Sequence, residues 1–106
     1  MNPEPFPNLD RVIHEKARLA IVSALSATPS LSYTDLRNLL GMTDGNLTSH
    51  LRILQEAGLV SLSRSAGENR PQTTCVLTEA GRCAFTEYLG QLEQIVAQFK
   101  KSPTSP

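Results

Sequence analysis

Apolar residues return at helical intervals near the start of the chain. Val12, Ile13, Ala17, Ala20, Ile21 and Leu25 share one face. Asp10 stands where it can cap such a helix, and Thr28-Pro29 stops it near Ala27. Ser30 and Leu31 follow as a short extended pair. Ser32-Tyr33-Thr34-Asp35 is a second helix start, with the serine as cap and an acid in the first turn. Leu36, Leu39 and Leu40 form the apolar face of this short helix, and Gly41 ends it. Thr43 is a fresh cap almost at once. The third helix runs from Asp44 to Ala57, with Leu47, Leu51 and Leu54 spaced i, i+4, i+7 and Gly58 as a left-handed C-cap.

Beyond Gly58 the period changes. Leu59 to Ser63 and Thr73 to Leu77 read as two strands, joined by a polar segment from Arg64 to Gln72 that contains Gly67, Asn69 and Pro71. Thr78 then caps a last helix from Glu79 to Lys101. Its apolar residues Phe85, Tyr88, Leu92, Ile95 and Phe99 alternate three and four apart. The fold class that follows is mainly α with a small β-hairpin. In that order the elements make a winged helix-turn-helix: a three-helix core, a two-stranded wing and a long C-terminal helix. Residues 9–101 form one domain. The proline-bearing ends, 1–8 and 102–106, are expected to be flexible arms.

Composition narrows the function classes. The chain has 106 residues, 40% of them hydrophobic and 19% charged, as in an ordinary globular domain. No apolar run approaches the length needed to span a bilayer, and the N-terminus lacks the pattern of a signal peptide, so a cytoplasmic protein is expected. Ten basic and ten acidic residues cancel, which taken alone argues against nucleic-acid binding. There is no phosphate-binding glycine loop, no dinucleotide motif, no nucleophile elbow and no zinc-protease motif, so an enzyme is not expected. Cys75 and Cys83 lack ligand or redox spacing. Cys75 reads as a buried strand residue and Cys83 as a small helix residue; no metal and no cofactor are expected. His50 lies toward the inner flank of the third helix and reads as a packing residue. Nothing in the sequence places a partner beside His14.

The third helix carries the candidate chemistry. Opposite its leucines stand Gly45, Thr48, Ser49 and Arg52, with Asp44 at the edge. A slim polar face of this kind suits the DNA major groove, which admits an α-helix. Arg52 can reach guanine or a phosphate, and the helix start at Thr43, Asp44, Gly45 and Asn46 can approach the backbone. In the hairpin, Arg64 and Arg70 can reach the neighbouring backbone or minor groove.

The stretches Tyr33-Thr34-Asp35-Leu36, Leu40 to Leu51, Leu54-Gln55-Glu56-Ala57-Gly58-Leu59-Val60 and Leu77-Thr78-Glu79-Ala80-Gly81-Arg82 together resemble small stand-alone winged-helix transcriptional regulators related to the MarR and ArsR families. The resemblance extends over most of the chain. It implies a dimer that reads a pseudo-palindromic DNA site, with Asp44 to Ala57 as recognition helix, Ser63 to Thr73 as wing, and dimerisation through the first and last helices. Such wings are often rich in lysine and arginine; this one, Ser65-Ala66-Gly67-Glu68-Asn69-Arg70, is a departure that predicts weak wing contacts.

Dimerisation is expected on physical grounds as well. A last helix of this length spans roughly 33 Å, more than three short helices and a hairpin can cover. Tyr88, Leu92, Ile95, Val96 and Phe99 would find partners in a second copy, with Leu9, Val12 and Ile13 alongside. The function expected is therefore that of a homodimeric, sequence-specific double-stranded-DNA-binding transcriptional regulator, acting as a repressor. The alternative is a winged-helix protein-interaction module that does not bind DNA. No polar cluster marks a site for a small-molecule effector.

Overall fold

The computed structural model describes residues 9–65 and 71–100. The arms expected at 1–8 and 102–106, Lys101, and Arg70 with most of the hairpin tip lie outside the described residues. The elements are α1 (Lys16–Ala27), β1 (Leu31–Ser32), α2 (Tyr33–Leu40), α3 (Asp44–Glu56), β2 (Val60–Ser65), β3 (Gln72–Leu77) and α4 (Glu79–Lys100).

α1 begins later than the apolar spacing predicts. Asp10 does act as a cap, but of a separate turn. Its carboxylate accepts the N–H groups of Val12 and Ile13 at 2.8 and 3.1 Å, and its carbonyl accepts from His14 N–H at 2.8 Å. The chain then bends, and Glu15 caps α1 by accepting from Arg18 N–H at 2.8 Å. Two caps lie along one run of apolar spacing, and the break between them lets Ile13 turn fully into the core.

The helix-turn-helix is built from local chemistry. Ser32 Oγ accepts from Asp35 N–H at 3.0 Å. At the far end of α2, Gly41 takes φ +65°, which costs a glycine little. Gly41 N–H donates to Asn38 O at 3.3 Å and Met42 N–H to Arg37 O at 3.2 Å, a Schellman closure. Thr43 Oγ1 then accepts from Asn46 N–H at 3.2 Å and starts α3. The apolar face of α2 differs from expectation at one position. Leu36 is buried and Leu40 half-buried, but Leu39 is 64% exposed. A three-residue step turns Leu39 short of a full helical turn and away from the core.

The sheet has three strands rather than the two expected, in the order β1-β3-β2 and antiparallel throughout. The extended pair falls on Leu31–Ser32, not Ser30–Leu31: Leu31 lies opposite Cys75 and Ser32 opposite Thr74. This two-residue strand covers an edge of β3 that a lone hairpin would leave unpaired. In the hairpin proper, Val60 faces Leu77 and the register continues to Ser65 opposite Gln72.

α4 is fastened to the end of α3 at one point. Gly58, at φ +81°, ends α3 with Leu59 N–H donating to Leu54 O at 3.0 Å. Thr78 Oγ1 donates to Gly58 O at 2.7 Å and accepts from Gly81 N–H at 2.9 Å, while Thr78 N–H donates to Leu59 O at 3.0 Å. Gly81 is buried directly against the Leu59 backbone. The core lies between the helices and one face of the sheet and includes Ile21, Leu25, Leu36, Leu47 and Cys75, all 0% exposed.

Candidate nucleic-acid interface

α3 is anchored from within and open outside. Leu47, Leu51 and Leu54 are at most 2% exposed. Burying side chains of this size contributes about 1.5–3 kcal/mol each, enough to fix which face of α3 points outward. On the opposite face Gly45, Thr48, Ser49 and Arg52 are all exposed, as are Thr43, Asp44 and Asn46 at the helix start. An added Cβ at Gly45 would meet nothing within 4 Å, so solvent reaches the backbone there.

Two side chains of α2 hold this face in place. Arg37 Nη1 lies 2.8 Å from Asp44 Oδ1, and Arg37 Nη2 donates to Asn38 Oδ1 at 3.4 Å. The hydrogen bond to Asp44, and then its charge, push the Arg37 guanidinium above its ordinary value. The pair offsets a carboxylate that would otherwise repel phosphates at the start of α3. The Tyr33 hydroxyl donates to the Asp44 carbonyl at 2.9 Å and sits 2.9 Å from Thr48 Oγ1.

α1 grips the other side of α3. Arg18 Nε donates to Val12 O at 2.7 Å, and Arg18 Nη1 lies 3.2 Å from His50 Nδ1. Arginine has only donors, so His50 Nδ1 accepts and the ring proton sits on Nε2. Glu15 Oε1 is 3.9 Å from the same ring nitrogen. His50 is therefore half-buried between two helices and hydrogen-bonded. His14 does have a neighbour: its Nδ1 lies 2.8 Å from the Tyr88 hydroxyl, whose ionisation burial pushes up.

Arg52 and Arg64 are exposed, and neither forms a hydrogen bond or ion pair with another described residue. Arg64 lies on β2 opposite Thr73, so it joins the set from a different element than α3. Arg70 lies outside the described residues. Tyr33, Arg37 and Arg18 have no sequence signal: each acts across space on a partner that only the packing of α1, α2 and α3 brings near.

The expected dimer residues divide into two groups. Ile13 and Tyr88 are 0% and 1% exposed within the protomer, so they have no surface to offer a partner; the bend after Asp10 and the inner face of α4 take them into the core. Leu9, Val12, Leu92 and Ile95 are half-buried. Val96 is 50% and Phe99 67% exposed, and Leu89, absent from the expected set, joins them at 43%. Leu89, Leu92, Val96 and Ala97 line an open apolar groove along α4.

Cys75 is fully buried, and burial pushes its thiol up to about 11. Cys83 is exposed on α4. Among the described residues no cluster of His, Cys, Asp or Glu could hold a metal ion, and no helix is long and apolar enough to cross a membrane.

Two helices joined by a tight glycine turn, the second exposed along its polar face and followed by a hairpin, define a winged helix-turn-helix protein. The model of the winged helix DNA-binding domain matches residues 17–96, and the chain belongs to that family. It is 31% identical over 85 residues, covering 80% of this chain and 92% of the relative, to the uncharacterized protein MJ0432 of Methanocaldococcus jannaschii. Among solved structures it is similar to a transcriptional regulator homologue from Pyrococcus horikoshii OT3, with TM-score 0.81, 26% identity, and coverage of 85% of this chain and 89% of that one. It shares its fold with a MarR-family transcriptional regulator from Silicibacter pomeroyi, with TM-score 0.64, 20% identity, and coverage of 90% of this chain and 62% of the longer one.

Proposed function

We propose that the chain is a homodimeric, sequence-specific regulator that binds double-stranded DNA in the cytoplasm and represses transcription by occupying its site. The observation that carries this reading is the exposed, slim face of α3 with Gly45, Thr48, Ser49 and Arg52, turned outward by three buried leucines. A helix face of this width fits the major groove, and Arg52 would reach guanine or a phosphate there. Arg64 and Arg70 of the wing would add backbone contacts. Exposed Leu89, Val96 and Phe99 on α4 support pairing with a second copy, since a bare apolar stripe of this kind is costly in water. Two copies would set their recognition helices about 34 Å apart, one turn of DNA.

The test is an anisotropy titration of labelled random-sequence duplex across a salt series. Binding near 10⁻⁴–10⁻⁶ M, with log affinity falling linearly against log salt, is expected for a non-specific site. Arg52→Ala and Arg64→Ala should each reduce the slope by about 0.9 if one phosphate contact is lost. Val96→Asp and Phe99→Asp should turn the dimer into monomer in analytical ultracentrifugation. A chain that self-associates but leaves duplex unbound up to about 10⁻⁴ M protein at low salt would instead be a protein-interaction module.

A further inference from the structure

The hydrogen bonds between Tyr33 and α3 have a consequence for what α3 presents to a base. A tyrosine hydroxyl has one hydrogen, and a backbone carbonyl can only accept. The 2.9 Å contact to the Asp44 carbonyl therefore uses the Tyr33 hydrogen. The second 2.9 Å contact, to Thr48 Oγ1, must then run the other way, with Thr48 donating to the Tyr33 oxygen. A helical threonine ordinarily turns its hydroxyl back to the carbonyl four residues earlier. Here that carbonyl is Asp44, and Tyr33 already donates to it. The Thr48 hydrogen is directed toward α2, and what remains on its exposed side is two lone pairs and a methyl group.

We propose that Tyr33 makes Thr48 a hydrogen-bond acceptor toward the groove, and that Thr48 is thereby a specificity-determining residue favouring adenine or cytosine on the strand it faces. In the major groove only adenine N6 and cytosine N4 present donors; guanine N7 and O6 and thymine O4 only accept. A hydroxyl free to rotate would accept from the first pair and donate to the second, and would discriminate little. The Tyr33–Asp44 bond removes that freedom. This inference rests on the reading of α3 as the recognition helix.

The test is selection of bound duplexes from a random pool, repeated with Tyr33→Phe, Thr48→Val and Thr48→Ser. Thermal unfolding and affinity for random duplex are measured on each variant. The wild-type chain should favour adenine or cytosine at one position per half-site by about three- to tenfold, the range of one hydrogen bond. Thr48→Val should reduce that preference below about twofold there and nowhere else, and Thr48→Ser should keep it. In Tyr33→Phe the Thr48 hydrogen can swing between the Asp44 carbonyl and a base acceptor. Guanine and thymine should then become acceptable at that one position, while the preferences at the other positions of the half-site persist. A selected wild-type site whose base preferences survive both Tyr33→Phe and Thr48→Val overturns this inference alone. A wild-type chain that binds no duplex overturns the DNA-binding reading and this inference with it.

Discussion

Helix propensity and geometry predict opposite signs for Gly81→Ala. Gly81 is the third residue of α4, and in an open helix the exchange would stabilise by about 1 kcal/mol. Here an added Cβ would overlap the Leu59 carbonyl oxygen and lie 2.9 Å from Leu77 Cδ1 and 3.0 Å from the Leu59 carbonyl carbon. The leucine tip can rotate away, but the backbone cannot. The Leu59 carbonyl accepts Thr78 N–H at 3.0 Å, and the Leu59 amide donates to Leu54 O at 3.0 Å. To admit the methyl group, the start of α4 must move off Leu59, which strains or breaks the Thr78 bonds to Leu59 and Gly58. Overpacking costs about 1–3 kcal/mol and each lost hydrogen bond about 1 kcal/mol, so after the propensity gain the net is about 2 kcal/mol of destabilisation. For a domain of this size that is a fall in Tm of roughly 10 °C. Circular dichroism melts at matched protein concentration measure it, because the proposed dimerisation would make Tm depend on concentration. Gly45→Ala is the control: nothing lies within 4 Å of its Cβ position, and it should raise stability by about 0.5–1 kcal/mol. If Gly81→Ala melts at or above wild type, the account of how α4 is fastened is wrong.

Two further expectations concern titration and thiol access. The Arg18 N–H bond holds the Glu15 carboxyl below its ordinary 4.5 against the opposing effect of burial, with the Arg18 charge adding to the lowering. A depressed carboxyl stabilises above its unfolded value and loses that contribution as pH falls through the folded one. Glu15→Gln should therefore cost about 0.5 kcal/mol at pH 7 and progressively less as the pH falls below 4.5, as read from urea midpoints; a gap that does not shrink refutes the assignment. Cys83 should react with a thiol reagent in the native protein, whereas Cys75, buried and with its thiol at about 11, should react only as fast as the fold opens. Equal labelling rates would contradict the burial of Cys75.

Most of the fold was legible because its boundaries are set by local chemistry. Ser32, Gly41, Thr43, Gly58 and Thr78 each make the cap or left-handed turn their side chains favour. The start of α1 was not legible, because Asp10 and Glu15 both make good caps and apolar periodicity does not distinguish a helix from a turn followed by one. The sequence puts the extended pair one residue early, at Ser30 and Leu31, and its place in the sheet escaped, because two residues carry no period; the strand character of β1 comes from pairing with Cys75 and Thr74, remote in sequence. The heptad-like stripe of α4 hid a division of labour, with Phe85 and Tyr88 serving the protomer core while Val96 and Phe99 stay open. At the candidate interface the exposed residues of α3 were legible from a helical wheel. Their supports, Tyr33 and Arg37 on α2 and Arg18 on α1, were not, since they depend on how three helices cross.

A neutral chain proposed to bind a polyanion calls for a physical account, and the placement of its acids supplies one. Asp10 and Glu15 cap a turn and a helix, and Asp35, Asp44 and Glu79 stand in the first turns of α2, α3 and α4. There each favours the positive end of the helix dipole, and Asp44 is offset by Arg37 as well. Arg52 and Arg64 remain exposed without an ion pair to another described residue. Counterion release counts the phosphates actually contacted, not the sum of charges on the protein. Glu79→Gln and Arg52→Ala separate the two ideas, because the first raises the net charge by one and the second lowers it by one. If local placement governs, Glu79→Gln should leave the salt slope of duplex binding unchanged, while Arg52→Ala should reduce it by about 0.9. Equal and opposite changes in the two slopes would mean that overall charge controls binding and that the face of α3 has no special part in it.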